Sequence, residues 1–256
     1  MIAARSGLSV AVITLNEERN IAACLESVKW AEEIVVCDSG SQDRTVEIAA
    51  SYGARTFCDP WRGFAGHKNL AVERCGQDWV LVLDADERVP EALRREIEGV
   101  VRSAESADGY SVARRNYFLG EWVRHGGWYP DRSVRLFRNG RGRFQRRAVH
   151  ETVEVSGTVA ALREPLEHHT YASVRDFLQR MARYADLAAE EMHVAGKRCG
   201  LIDLTLRPVW TVLRMYVFQR GFLDGWRGLL LAGLYACYTL AKYAALWERE
   251  RAAGQG

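Results

Sequence analysis

Apolar runs and polar breaks alternate with a regular beat along the first hundred residues. Leu8 to Leu15 (LSVAVITL), Glu33 to Cys37 (EIVVC), Ala54 to Cys58 and Trp79 to Leu83 (WVLVL) are short, apolar and rich in β-branched residues, which predicts buried strands. Between them, Ile21 to Trp30, Thr45 to Tyr52 and Gly63 to Arg74 predict helices. A fourth helix follows from Pro90 to about Ser103, with proline in its first turn. Ser41 or Asp43 is the expected N-cap of the second helix. Strands alternating with helices at this spacing predict βαβ units and a mostly parallel sheet. Trp79 to Leu83, apolar without a break, reads as a central strand covered on both faces.

After Asp108 the rhythm changes. Gly109 to Tyr117, Ser133 to Arg138, Ala148 to Val155 and Thr158 to Leu162 look like strands without helices between them, an antiparallel extension of the sheet. Ser173 to Val194 is a helix with Ser173 as N-cap. Two further helices, Leu204 to Phe218 and Trp226 to Trp247, are joined around Gly221-Phe222-Leu223-Asp224-Gly225. The expected division is an α/β domain over 1–170, in halves of about 8–107 and about 108–170, and a helical region over 171–256.

Composition narrows the class. Of 256 residues 48% are apolar, enough for a full core, and the net charge of +2 gives no reason to expect a nucleic-acid partner. The six cysteines show no C-x-x-C spacing, which counts against a zinc site or a disulfide framework and fits a reducing compartment. No basic-then-apolar leader precedes Leu8, so the expected location is cytoplasmic.

Candidate chemistry sits at strand ends. Asn16 and Glu17 follow the first strand, Asp38 the second, and Asp84, Asp86 and Glu87 the fourth, on the side where open α/β sheets place their ligands. If the fourth strand continued, Asp84 and Asp86 would point the same way with Ala85 leaving room between them. Two hard oxygen ligands there suit Mg²⁺ or Mn²⁺ carrying a diphosphate. The turn Thr14-Leu15-Asn16-Glu17 has no G-x-G-x-x-G, which weighs heavily against a dinucleotide oxidoreductase, and no G-x-x-x-x-G-K-[ST] occurs, which excludes a P-loop NTPase. A nucleotide site built from carboxylates and a cation remains.

In this order, LSVAVITLNEERNI, EIVVCDSGSQDRT, GHKNLA, WVLVLDADERV, GGWYPDRSVRLFR and VHE resemble glycosyltransferase family 2, which has the α/β GT-A fold. Within that family the chain is similar to the β-glucosyltransferases of the lipopolysaccharide inner core. The resemblance implies inverting transfer from a nucleotide-diphospho-sugar, a UDP-sugar donor and a divalent metal. It implies that Thr14, Asn16 and Glu17 line the base and ribose pocket and that Asp38 accepts from the base. Lys68, Asn69 and Arg135 fall with the donor, Asp84 near its ribose or sugar, and Asp86, with Asp84 beside it, at the metal. The family's base is a carboxylate after the D-x-D strand; Glu151 is the first choice here and Asp131 the second.

The remaining features qualify this picture. Arg132, Arg135, Arg138, Arg141, Arg143, Arg146 and Arg147 crowd one span, a solvated face or the edge of a cleft for an acidic acceptor. No aromatic stacking motif is interleaved among them, so RNA is not expected. His125 and His150 either orient acceptor hydroxyls or are satisfied core histidines. Glu167-His168-His169 has the composition of a ligand cluster, but adjacent residues on a strand face opposite sides. Trp122, Trp128 and Tyr129 offer a stacking floor for a sugar or simply core. Arg207, Arg214, Arg220 and Arg227, beside Trp210 and Trp226, suit a helix at a membrane surface or a hairpin packed on protein. The expected activity is hexose transfer, glucose from UDP-glucose, to a glycolipid or lipopolysaccharide-core acceptor. Its rivals are another polysaccharide or polyprenyl-linked acceptor, or a non-catalytic nucleotide-sugar-binding subunit.

Overall fold

A computed structural model describes residues 6–145 and 152–253. The first stretch runs β1 (Leu8–Thr14), α1 (Ile21–Val28), β2 (Glu33–Asp38), α2 (Thr45–Ser51), β3 (Arg55–Cys58), α3 (Gly63–Glu73), β4 (Trp79–Asp84), β5 (Glu87–Arg88) and α4 (Glu91–Arg102). Strands then succeed one another: β6 (Gly109–Phe118), β7 (Glu121–Trp122), β8 (Asp131–Arg138), β9 (Gly142–Gln145), β10 (Thr152–Val155), β11 (Val159–Ala161) and β12 (Leu166–Tyr171). The rest is helical, with α5 (Val174–Val194), α6 (Leu201–Val212), a π-helical stretch Leu213–Phe218, a 3₁₀ turn Gly221–Asp224 and α7 (Gly225–Ala253). The described residues divide into two compact units, 6–114 with 132–145 and 152–168, and 115–131 with 169–253.

The first unit is built on a sheet in the order β3-β2-β1-β4-β8-β6-β12-β5. Parallel pairing joins β3 to β2, β2 to β1 and β1 to β4, and β4 then pairs antiparallel with β8. All seven residues of β1 are buried because both faces of the sheet are covered. Leu8, Val10 and Val12, with Trp79, Leu81 and Leu83 of β4, pack towards Ile21 and Leu25 of α1 and Leu93 and Ile97 of α4. Ala11, Ile13, Val80 and Val82 face the opposite way, onto Ala65, Ala71 and Val72 of α3 with Phe137 and Phe144. The parallel half read from the sequence is thus present, and β8 opens the antiparallel extension; of the other strands expected there, β11 pairs parallel with β6 and β10 leaves the main sheet to pair with β9.

Several boundaries differ from expectation for local reasons. Neither Ser41 nor Asp43 is the N-cap of α2; Arg44 holds that place without a side-chain bond. The Ser41 hydroxyl donates to Asp38 and accepts from the Asn16 N–H, while Asp43 accepts from the N–H and hydroxyl of Thr45. Pro90 precedes α4 as its N-cap, in an extended conformation. β9 was not apparent in Gly142-Arg143-Phe144-Gln145, where only Phe144 is strongly apolar. It is held by β10 and by the Asn69 side chain, whose amide nitrogen and oxygen engage the Phe144 carbonyl (2.9 Å) and N–H (2.8 Å). The expected strand from Ala148 begins outside the described residues, which resume at Thr152.

In the second unit, α6 and α7 form an antiparallel hairpin. Thr211 meets Thr239 at 3.2 Å, Arg207 lies over the Tyr243 ring, and the Cys199 N–H donates to Glu250 at 2.8 Å. α5 runs in the same direction as α7, with Phe177 against Tyr235 and Asp186 towards Arg249. Phe118, Val123, Trp128, Tyr171, Phe177, Met181 and Leu231 form the core of this unit. Ser173 caps α5 as expected, accepting from the Asp176 N–H. α6 begins at Leu201 rather than Leu204, because the Asp203 carboxylate accepts from the Gly200 N–H and fixes the first turn there.

Candidate active site

β4 ends at Asp84, and the chain turns at Ala85 and Asp86 before β5. The strand does not continue, so the alternation expected to align Asp84 with Asp86 is broken. The Glu87 carboxylate closes this turn by accepting from the Asp84 N–H at 2.9 Å. Each acid then meets different partners.

Asp84 is paired with Lys68 of α3 at 2.8 Å and with Arg135 of β8 at 3.0 Å, and its side chain remains 27% exposed. Burial works against its ionisation, but the two cations outweigh it and hold the carboxyl well below the usual carboxylate range. Lys68 is almost fully buried, and its ammonium also lies over the Phe144 ring. Arg135 bridges Asp84 to Glu87, which it meets at 2.5 Å; Arg114 approaches the same Glu87 carboxylate at 3.6 Å. Glu87 has no exposed surface. Among the described residues this corner thus gathers Lys68, Arg135 and Arg114 around the carboxylates of Asp84 and Glu87.

Asp86 lies 3.4 Å from Nε2 of His168 on β12, and both are largely buried. β12 pairs with β5 through His168 and Glu87, and this register brings the histidine to the turn. Burial disfavours the imidazolium, yet Asp86 outweighs that penalty and raises the His168 pKa. His169 stacks on Tyr117 in the second unit, the opposite orientation expected of adjacent strand residues. Among the described residues no three metal-ligating side chains converge. The Asp86 carboxylate is a ligand of the kind Mg²⁺ or Mn²⁺ takes, and the His168 imidazole 3.4 Å from it can join it on Mn²⁺ in its neutral form, with water and substrate phosphate as the other ligands.

The ends of β1 and β2 form one hydrogen-bonded frame. Asp38 is buried and accepts from the Thr14 hydroxyl (2.9 Å), the Gly40 N–H (2.8 Å) and the Ser41 N–H (2.7 Å) and hydroxyl. A base expected to donate to Asp38 meets a carboxylate already occupied by its own turn. Asn16 adopts a left-handed backbone (φ 56°) and accepts from the Gln42 N–H, whereas the Glu17 carboxylate accepts from the Asn20 side chain. Thr14 is buried, Asn16 exposed and Glu17 half-buried, so the frame presents its open edge through the last two.

The candidate bases differ in what can be said. Glu151 lies outside the described residues, as do His150, Arg146 and Arg147. Asp131, in the second unit, is 3.5 Å from the Asn116 amide nitrogen. The arginine-rich span disperses: Arg132 donates to the Leu162 carbonyl, Arg138 lies over Trp79, and Arg141 donates to the Ser156 carbonyl. Among the described arginines of this span, Arg135 alone enters the carboxylate corner. Arg143 and Arg62 line a cavity of about 460 Å³ with Asn69, Glu73 and Gln145. Trp128 belongs to the second unit's core, and Trp122 is flanked by Arg115 and Arg124 and meets the Tyr129 ring edge-on at 5.4 Å. His125 is fixed by Asp224, whose carboxylate accepts from the His125 N–H at 2.8 Å and meets Nδ1 at 3.0 Å.

The family model described as "Glycosyl transferase family 2" matches residues 9–170, more than half of the chain. The chain belongs to glycosyltransferase family 2. A lipopolysaccharide core biosynthesis glycosyltransferase, LpsC of Rhizobium meliloti, is 34% identical over 246 residues, which cover 92% of this chain and 91% of LpsC. An uncharacterized glycosyltransferase of Rickettsia typhi is 27% identical over 94% of this chain and 87% of its own. Among solved structures, S. aureus TarS 1-349 in complex with UDP aligns with a TM-score of 0.49 at 15% identity, covering 96% of this chain and 92% of that one. Family 2 membership accounts for the α/β GT-A fold read from the sequence. Two residues central to this corner carried little signal in the sequence: Glu87 read as one more strand-end acid, and His168 was set aside with its neighbour. The period-two rule that separates His168 from His169 was the usable clue.

Proposed function

We propose that the chain is an inverting, divalent-cation-dependent hexosyltransferase that moves glucose from UDP-glucose onto a lipopolysaccharide-core sugar at the cytoplasmic face of the inner membrane. The observation that carries this reading is the split of the strand-end acids, Asp84 onto Lys68 and Arg135 and Asp86 onto His168. Two carboxylates doing one job would share an environment; these are assigned separate ones.

Asp86 and His168 would hold the cation, which when bound offsets the negative charge that grows on the leaving diphosphate. Asp84, already neutralised, keeps Lys68 and Arg135 in place and offers its exposed edge to the donor's ribose or sugar. Asn16 and Glu17 line the nucleoside end, with Asp38 and Thr14 fixing the turn behind them. The acceptor hydroxyl attacks the anomeric carbon as the bond from that carbon to the diphosphate oxygen breaks. Attack from the opposite face inverts the configuration, and a carboxylate takes the hydroxyl proton. Glu151 is assigned as that base, ahead of Asp131.

LpsC, a lipopolysaccharide core biosynthesis glycosyltransferase 34% identical over most of both chains, supports the acceptor class. Arg62 and Arg143 at the cavity beside α3 and β9 suit the carboxylates and phosphates of an acidic acceptor. Radiolabel transfer from UDP-glucose to truncated core lipids tests both halves of the reading. Glu151→Gln is expected to lower transfer by about 10²-fold or more while leaving UDP affinity unchanged, and Asp131→Asn to be milder. The opposite ranking would make Asp131 the base. Transfer from a different sugar nucleotide alone would replace the donor, and absence of transfer from any would overturn the enzymatic reading.

A further inference from the structure

The second unit leaves an apolar face uncovered along α6 and the turns that follow it. Ile202, Leu206, Val209 and Leu213 fall at helical spacing on one side of α6 and are all exposed. Exposed Trp210 carries the ring of Phe218 (66% exposed) 5.4 Å away, and Trp226 is 62% exposed at the start of α7. The opposite side of α6 packs on α7 through Thr211 and Thr239, so the hairpin does not use this stripe for its own folding. Monomeric soluble proteins rarely expose a contiguous apolar surface of this extent.

Charge indicates what covers it. Residues 201–247 hold two acids, Asp203 and Asp224, against Arg207, Arg214, Arg220, Arg227 and Lys242. Asp203 pairs with Arg207, and Asp224 is turned onto His125 and its N–H, which leaves the segment net basic. Arg207, over Tyr243, lies on the side of α6 towards α7, while Arg214 and Arg220 are exposed just beyond the end of α6. An apolar stripe with aromatic and basic residues beside it is the arrangement of a helix lying in a lipid headgroup region.

We propose that α6 and the following turns, residues 201–226, lie in the plane of an anionic lipid surface, with the Ile202–Leu206–Val209–Leu213 stripe, Phe218 and Trp226 in the acyl boundary and the arginines at the headgroups. Residues 221–252 contain a helix long and apolar enough to cross a membrane. The structure favours the in-plane arrangement over crossing because α5 lies along α7. Exposed Arg183, Asp186, Glu190 and Glu191 of α5 would be carried into hydrocarbon with it. This inference does not depend on the glycosyl-transfer reading.

The test uses the full chain with vesicles of neutral phosphatidylcholine and of phosphatidylcholine mixed with phosphatidylglycerol. Binding to the anionic vesicles is expected to exceed that to neutral ones by about tenfold and to weaken with salt. The triple variant Trp210→Ser, Phe218→Ser, Trp226→Ser, altered only at exposed positions, is expected to melt like the parent chain and to lose at least about tenfold in vesicle affinity. Indifference of the parent chain to anionic vesicles would overturn the proposal, as would full binding by the triple variant. So would a lipid-free dimer that the same variant dissociates, since a second copy would then cover the face. Resistance to alkaline extraction from cell membranes would replace in-plane binding by crossing.

Discussion

Glu87 is the residue on which the carboxylate corner turns, although it touches no solvent. Its carboxylate takes the Asp84 N–H, meets Arg135 at 2.5 Å and faces Arg114. Removing one member of a buried pair leaves the other charged and desolvated, a cost of about 3–5 kcal/mol. Arg135→Met is therefore expected to destabilise the chain by that order in urea melts, and Arg135→Met with Glu87→Gln to recover much of it. An equally unstable double variant would show that Arg135 acts by packing instead. At this scale the sequence disclosed which acids matter but not what each does. Asp84-Ala85-Asp86 was visible because acids at the end of an apolar strand are few. Their separate roles were hidden because they depend on where the strand stops, and that is decided by Glu87 closing a turn. Asp38 and Asn69 were legible as polar residues at the right places, while their engagement with Ser41 and Phe144 is a property of the folded backbone.

Among the elements, the crossing of the 3₁₀ turn and α7 rests on two glycines. A Cβ on Gly228 would stand 1.9 Å from the Gly221 carbonyl oxygen, whereas one on Gly233, a turn and a half further along α7, would meet nothing within 4 Å. Gly228→Ala is expected to force the turn from the helix at a cost of about 1–3 kcal/mol. Gly233→Ala is expected to be neutral or to add up to about 1 kcal/mol through helix propensity. Thermal melts of the two variants separate these outcomes, and equal melting temperatures would contradict the close contact. β1, β2 and β4 were readable because strands buried on both faces must be apolar throughout. β9 and the start of α6 were not, since one is held by a side chain 75 residues away and the other by a cap.

For the whole molecule, family 2 membership and the GT-A fold follow from a pattern spread over residues 9–170, which no single motif supplies. The helical unit carried a separate signal: basic and aromatic residues were evident in the sequence, and the structure adds that one face of α6 stays open. The proposed cation site joins these scales, because β4, the turn after it and β12 must all be in place before Asp86 meets His168. Calorimetric titration of UDP into the chain, with and without Mn²⁺, tests that site most directly. Mn²⁺ is expected to tighten UDP binding by at least about tenfold in the parent chain, and Asp86→Ala or His168→Ala to abolish that gain while leaving metal-free affinity in place. Equal UDP affinity with and without Mn²⁺, or a full Mn²⁺ gain in either variant, would contradict the assignment of Asp86 and His168 to the cation that carries the donor diphosphate.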